Sequence, residues 1–289
     1  MKMNNISSLN EMTKTTKEWK KQGFSIGFVP TMGYLHNGHK SLIEKARQEN
    51  DKVIVSIFVN PIQFGQNEDF SKYPINIERD FKLCKDVGVD IIFTPLARDM
   101  YPTENLVYID VDKLGDWLCG AVRPGHFRGV CTVVAKLFNI VNPNKAYFGE
   151  KDAQQLAIIK RMVLDLNFDI KIVSCPIVRE SDGLAMSSRN KYLSKDERKA
   201  ALVISKSLKL AKQSLDYGER KVDTILKLIS DEINSEPLAK IDYISLVDPN
   251  TIKPIDEILK PVLIAIAVYI GDTRLIDNFL FDKETDYDS

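Results

Sequence analysis

Phe24-Ser25-Ile26-Gly27-Phe28-Val29, followed by Pro30-Thr31-Met32-Gly33-Tyr34-Leu35-His36-Asn37-Gly38, a helical stretch from about His39 to Glu49, and Val53-Ile54-Val55-Ser56-Ile57-Phe58-Val59 form the segment on which the fold turns. The first run reads as a short strand. The second, punctuated by Gly and Pro, reads as a loop, and the last, nearly all apolar, as a second strand. A strand without polar alternation is buried on both faces, the pattern of parallel sheets in α/β proteins. Two such strands joined through a helix make a β-loop-α-β unit, with a right-handed crossover.

The alternation extends in both directions. Upstream, Ser8-x-x-Glu11 is a capping-box pattern ahead of Met12 and Trp19 at helical spacing, and Gly23 sits where a helix end favours a left-handed residue. Downstream, a helix is predicted around Ile77 to Val87, a strand at Asp90 to Thr94, and a helix with Val130, Val133, Val134, Leu137, Phe138 and Val141 on one face. A strand at Ala146 to Phe148, a helix from Asp152 to Leu166 and a strand at Asp169 to Ser174 continue the series, which argues an α/β doubly wound, Rossmann-like parallel sheet.

After Pro176 the texture changes. Ser194-x-x-Glu197 opens one helix carrying Ala201, Ile204, Leu208, Ala211 and Leu215, and a second runs from Val222 to Ile233. Ile241 to Val247, Val262 to Tyr269 and Leu275 to Leu280 read as strands, the last two pairing as a hairpin across Gly271 and Asp272. The expected division is residues 1–178, a Rossmann-like domain, and residues 179–289, a smaller C-terminal α+β domain.

The chain has 289 residues with 40 Lys and Arg balanced by 40 Asp and Glu, so it has no basic footprint for nucleic acid or an anionic membrane. Its longest apolar run, Val262 to Ile270, is far below the ~20 residues that span a bilayer. The start, Met1 to Lys21, has no apolar stretch of signal-peptide length, so a cytoplasmic setting is expected. Cys84, Cys119, Cys131 and Cys175 form no C-x-x-C pair and are read as reduced core fillers.

Of only three histidines, two fall in His36-Asn37-Gly38-His39, in the first βα loop. In an open α/β sheet, ligands bind beyond the carboxyl ends of the strands, where a helix N-terminus offers N–H groups to phosphates. Gly33 and Gly38 let backbone approach an anion, and two imidazoles there can donate hydrogen bonds where negative charge accumulates. No Walker A sequence and no G-x-G-x-x-G occurs, which argues against a P-loop kinase or a dinucleotide dehydrogenase.

Pro30-Thr31-Met32-Gly33-Tyr34-Leu35-His36-Asn37-Gly38-His39 resembles the signature loop of the pantothenate synthetases, members of the HIGH-motif nucleotidyltransferase superfamily. Val55 to Phe64, Arg123-Pro124-Gly125-His126-Phe127-Arg128-Gly129-Val130, Phe148-Gly149-Glu150-Lys151-Asp152 and Asp182 to Asn190 are similar to further blocks of that family, in its order. Gly271 to Asn278 is similar to its C-terminal end. The resemblance implies an AMP-forming ligase. Pantoate's carboxylate attacks the α-phosphorus of ATP to give pantoyl adenylate and pyrophosphate, and β-alanine's amine then displaces AMP to give pantothenate. A substrate carboxylate as nucleophile needs no activated Ser or Cys.

By this resemblance Met32, Gly33, Tyr34, Leu35, His36, Asn37, Gly38 and His39 bind ATP, as do Gly149, Glu150, Lys151, Asp152, Val178, Met186, Ser187, Ser188 and Arg189. His36, His39, Lys151 and Arg189 are the expected catalytic groups. The family's usual description makes His39 a proton donor. A carboxylate nucleophile has no proton to lose, so both histidines are better read as hydrogen-bond donors to the developing oxyanion. Lys151 can reach phosphate oxygens, and Asp152 can cap the following helix. Met186-Ser187-Ser188-Arg189 matches the family's mobile phosphate-covering loop, Arg189 holding two oxygens with its planar fork. Val178 matches a main-chain contact to adenine.

Gln63 and Gln155 match the pantoate-binding glutamines, and His126 is expected along the β-alanine path. Asp80 matches an acid near Mg²⁺, which bridges phosphates with few protein ligands. One departure stands out. Tyr73-Pro74 is followed by Ile75 where the family usually has Arg, and no residue of the sequence is identified as its substitute. Homodimers occur in the family. Two other readings remain open: a related nucleotidyltransferase in which a phosphate ester attacks ATP, and a non-catalytic nucleotide- or tRNA-associated module.

Overall fold

The computed structural model describes residues 3–282 apart from residues 67 and 260. The chain begins with β1 (Asn4–Ile6) and α1 (Leu9–Lys21), then β2 (Ile26–Thr31), α2 (Asn37–Glu49), β3 (Lys52–Ile57), α3 (Ile77–Val87) and β4 (Ile91–Phe93). Two short helices follow, α4 (Ala97–Met100) and α5 (Leu118–Val122), then α6 (His126–Val141), β5 (Lys145–Gly149), α7 (Ala153–Asp165) and β6 (Lys171–Cys175). The six strands form one sheet in the order β1-β4-β3-β2-β5-β6, every neighbouring pair parallel. This is the doubly wound sheet the sequence predicts. β1, three residues on the sheet edge, was not legible because so short a run carries no periodicity.

Strand order reverses between β2 and β5, which pair directly through Gly27 with Lys145 and Phe28 with Ala146. Chains leaving the carboxyl ends of these two strands diverge to opposite sides and open a crevice between them. The His-Asn-Gly-His loop leaves β2 and the Lys151 turn leaves β5, so topology alone brings them together.

Apolar strands fill both faces of the sheet. Ile26, Phe28, Ile54, Ile91 and Phe93 pack with Val130, Val134, Phe138 and Val141 of α6 on one side. Val29, Val53, Val55 and Ile92 pack with Leu42, Ile43 and Ala46 of α2 on the other. Each such side chain removed from water contributes roughly 1.5–3 kcal/mol. α1 starts as the sequence suggests, the Ser8 hydroxyl accepting from Glu11 N–H, and Gly23 adopts φ +82° beyond its end.

The remainder comprises α8 (Lys195–Ala200), α9 (Leu202–Asp216), α10 (Val222–Asn234), β7 (Ala239–Val247), β8 (Val262–Ile270) and β9 (Thr273–Phe281). β7-β8-β9 is an antiparallel sheet, with Ile270 opposite Thr273 across the Gly271-Asp272 turn. On β8, Val262, Ile264, Ile266 and Val268 face α9 and α10, while Leu263 and Ala265 face Leu118 and the α7 residues Ala153 and Ala157. This period-2 alternation clamps the small sheet between its own helices and the large domain.

The single helix expected from Ser194 onward is two. Ser194 and Glu197 form the predicted capping box of α8, but the chain steps at buried Ala201, where Ile204 N–H bonds back to the Ala201 carbonyl at 3.2 Å. A break of this kind preserves the apolar face, so periodicity cannot reveal it. All four cysteines are free and buried. Among the described residues no helix is long and apolar enough to cross a membrane.

Candidate active site

The loop after β2 is held from behind. Thr31 Oγ1 donates to the Ser56 carbonyl (2.7 Å) and accepts from Gly33 N–H (3.1 Å), tying the loop to β3. Gly33 has φ +85°, and a Cβ there would sit 2.9 Å from Ile57 Cγ2 and 3.1 Å from Asp80 Oδ2. Asp80 lies in the first turn of α3, 1% exposed. Its two carboxylate oxygens accept from Tyr34 N–H (2.8 Å) and Leu35 N–H (2.7 Å). Asp80, expected near a metal, thus braces the loop through both of its oxygens. Among the described residues no group of three or more His, Cys, Asp or Glu side chains is placed to hold a metal ion.

His36 caps α2. Its Nδ1 accepts from Gly38 N–H (3.1 Å), and His39 Nδ1 accepts from His36 N–H (3.3 Å), so the two rings close a capping box. The rings lie 4.1 Å apart. A Cβ on Gly38 would approach His36 Nδ1 to 2.9 Å, so only glycine lets the imidazole fold over its own helix start. Since both Nδ1 atoms accept, each ring carries its proton on Nε2. Burial lowers His36 to about 4, aided by the Lys151 charge. Burial, with His36 and Lys151 nearby, lowers His39 well below its ordinary value. Both are neutral N–H donors at pH 7.

Two cavities meet here. The smaller, about 230 Å³, is lined by Met32, His36, Gly38, His39, Gln63, Gly149, Val178 and Met186, with an apolar wall of Phe58, Val130, Val133, Val134 and Leu137. The larger, about 890 Å³, opens between the large sheet and the C-terminal sheet and is lined by His126, Tyr243, Arg274 and Asn278 among others. Lys151, Asp152, Gln155, Ser187 and Arg189 line both. Lys151 stands in the tight turn Glu150–Asp152 between β5 and α7. Asp152 occupies the N-cap position of α7, but its side chain makes no capping bond.

Gln63 ends the tight turn Pro61–Gln63. Its Oε1 accepts from Asn60 Nδ2 (3.0 Å), and its Nε2 contacts Met32 Sδ (3.2 Å). Asn60 is buried, accepts from the Tyr101 hydroxyl (2.7 Å) and donates to the Gly129 carbonyl (3.2 Å). His126 Nε2 accepts from Arg123 Nη1 (3.0 Å), and its Nδ1–H donates to the Gln63 carbonyl (2.9 Å). Burial, with Arg123 beside it, lowers His126 to about 4. His126 thus lines the larger cavity as expected, but both its ring nitrogens are occupied, and it positions Gln63.

Arg189 is engaged too. Its Nε and Nη2 donate to the two oxygens of Asp69 at 3.0 and 2.9 Å. Burial pushes the Asp69 carboxyl up, but the guanidinium overcomes this and holds it below its ordinary value. Arg123 makes the same forked pair with Glu68 at 2.7 and 2.6 Å. The Val178 carbonyl accepts from Met186 N–H (3.0 Å), and Ser188 Oγ donates to the Tyr34 carbonyl (3.3 Å), joining the Ser187–Arg189 loop to the His loop.

Five expected nucleotide contacts, Gly33, Tyr34, Leu35, Asn37 and Glu150, line neither cavity. Leu35 is fully buried in the core behind the loop, and Tyr34 stacks between Arg79 and Lys191, 4.9 and 4.4 Å from its ring centre. Contiguity with the motif suggested them, yet successive loop side chains point in different directions. Ile75 is 73% exposed. Asn60, Tyr101, Glu68 and Asp69 were not read as functional. Of these only Asn60 had a signal, its place beside Pro61 and Gln63.

A doubly wound sheet whose switch point gathers a His-Asn-Gly-His helix start, a lysine turn and an arginine loop around one crevice places a candidate site where α/β enzymes bind small ligands. The chain belongs to the pantoate-beta-alanine ligase family, whose model matches residues 4–280. It is 60% identical over 277 residues to the pantothenate synthetase of Clostridium acetobutylicum, covering 96% of this chain and 99% of that one. A Clostridium botulinum pantothenate synthetase is 58% identical over 279 residues, with the same coverage. Among solved structures, pantothenate synthetase from Thermus thermophilus superposes with a TM-score of 0.90 at 42% identity, over 96% of this chain and 99% of that one. Pantoate-beta-alanine ligase from Francisella tularensis, complexed with beta-gamma ATP and beta-alanine, gives 0.80 at 39%, over 96% and 98%. The chain is thus an enzyme, a ligase of this family.

Proposed function

We propose that this enzyme joins pantoate to β-alanine at the expense of ATP, through pantoyl adenylate. A pantoate carboxylate oxygen attacks the α-phosphorus, the bond from that phosphorus to the bridging β-oxygen breaks, and pyrophosphate leaves. The β-alanine amine then attacks the acyl carbon, the acyl–oxygen bond to AMP breaks, AMP leaves, and the nitrogen releases a proton. The observation that carries this reading is the pair of neutral imidazoles, their Nδ1 atoms fixed as acceptors and their Nε2–H groups left as donors beside Lys151. Such a site stabilises charge building on phosphoryl oxygens and supplies no base, which suits a nucleophile that arrives ionised.

Gln63 and Gln155 hold pantoate through its carboxylate and hydroxyls, with its two methyl groups against the Val130, Val133 and Leu137 wall. Lys151, Ser187, Ser188 and Arg189 take the phosphates, and the main chain at Val178 takes adenine. Mg²⁺ accompanies ATP on its phosphates, with Asp80 as the nearby acid. Residues 1–178 bind nucleotide and pantoate, and residues 179–289 act as the lid, a division supported by the cleft between the two sheets. Family resemblance supports a homodimer.

Exchange of labelled pyrophosphate into ATP tests the first step. It is expected with pantoate, and AMP release is expected only when β-alanine is also present. Exchange driven by phosphopantetheine or nicotinate mononucleotide but not by pantoate would overturn the assignment. So would ATP binding without turnover.

A further inference from the structure

β9 of the C-terminal sheet reaches into the active site from the side opposite the histidines. Asn278 is 5% exposed. Its Nδ2 donates to two consecutive carbonyls of the lysine turn, Glu150 O at 3.0 Å and Lys151 O at 2.8 Å. An amide –NH₂ has two protons, so both bonds form at once, and no other small side chain offers two donors on one atom without a charge. The turn Glu150–Asp152 is one short 3₁₀ segment with no ladder partners, and this side chain stands in for them.

Asn278 is itself anchored. Its N–H donates to Asp277 Oδ1 at 2.8 Å. Asp277, 2% exposed, receives Arg179 Nη1 and Nη2 at 2.6 and 2.9 Å, and Arg179 Nη1 also donates to the Gly183 carbonyl at 3.1 Å. Arg179 follows Val178, and Gly183 lies in the stretch leading to Ser187 and Arg189. One buried dipeptide therefore links two site segments, the lysine turn and the stretch around Arg179, that are distant in sequence.

We propose that Asn278 is a positioning residue for Lys151. By fixing both carbonyls it sets where the lysine leaves the turn, and so the distance from its ammonium group to the phosphates. Catalytic groups act in the transition state only when held within about 0.5 Å of the productive geometry, and a 1 Å error can cost roughly 10²-fold in rate. The proposal rests on the reading above, in which Lys151 serves the phosphates.

The test compares pantoate-driven pyrophosphate exchange in the wild-type enzyme, Asn278→Ala and Asn278→Asp. The aspartate variant keeps nearly the same volume, so it reports even where the alanine variant folds poorly, and it sets a carboxylate against two carbonyl oxygens. Both variants are expected to lose about 10- to 100-fold in kcat with the pantoate KM within about twofold, since Gln63 is held by Asn60 and His126, away from the lysine turn. ATP affinity, measured by equilibrium binding, is expected to fall a few-fold in Asn278→Ala. In a Lys151→Ala background the same change should have no further effect. Undiminished kcat, an equal rise in pantoate KM, or a full additional loss of ATP affinity without Lys151 would each overturn the proposal. A wild-type enzyme without pantoate-driven exchange would instead overturn the reading of the site.

Discussion

On the proposed reading, His39 serves without carrying a charge. Buried against His36 and Lys151, it presents a neutral N–H to the crevice. His39→Ala is expected to cut adenylate formation by about 10²-fold or more with a small change in nucleotide affinity, measured as kcat for pyrophosphate exchange against ATP binding. Unchanged turnover would remove it from the mechanism. Gln63, oriented through Asn60 and His126, belongs to the other substrate. Gln63→Ala should raise KM for pantoate more than KM for ATP, and the reverse pattern would mean that the acid lies elsewhere. Both residues were legible in the sequence, because a rare pair of histidines and a block match point straight at them. The partners that Asp80 and His126 have within the protein were not legible, since sequence gives no sign that a polar group is already hydrogen-bonded.

α6 passes the Pro61–Gln63 turn in close backbone contact. A Cβ on Gly129 would lie 2.4 Å from the Ile62 carbonyl and 2.6 Å from Gln63 Cα, both backbone atoms that cannot swing aside. Gly129→Ala is therefore expected to push the helix and turn apart, destabilising the fold by about 1–3 kcal/mol and raising KM for pantoate. Denaturant titration and steady-state kinetics check the two halves, and a variant with wild-type pantoate KM would show that this contact does not place Gln63. At this scale the parallel strands, α2, α3, α10 and the C-terminal hairpin were readable from apolar runs and turn residues. The break at Ala201, the short helices α4 and α5, and edge strand β1 were not. Each is too short, or too similar in apolar spacing to its alternative, to change the pattern.

The whole molecule carries three histidines, and all three are partly buried with lowered pKa. Unfolded histidines titrate near 6.5. Folded His36 and His126 titrate near 4. Between those values the unfolded chain holds more protons than the folded one, so unfolding free energy increases with pH. The contribution is complete above pH 6.5 and is lost as pH falls towards 4, at up to about 1.4 kcal/mol per pH unit for each histidine. Burial raises the Asp80 carboxyl despite its two amide partners, and its contribution runs the opposite way, lost as pH rises past its raised value. Two fully shifted imidazoles outweigh one carboxyl. Urea midpoints at pH 7.5 and 5.0 should therefore differ strongly, the acidic one lower. Equal midpoints would mean that the imidazoles stay accessible to protons in the native state.

The forked contact between Asp69 and Arg189 bears on how nucleotide enters. The guanidinium is already oriented and already stripped of much of its water, so an incoming phosphate acts as a rival anion. Capture becomes a swap of counter-ions, and its strength is the difference between two similar attractions. Added salt weakens both rivals together, so affinity for the nucleotide should depend on ionic strength less than the number of cations around the crevice suggests.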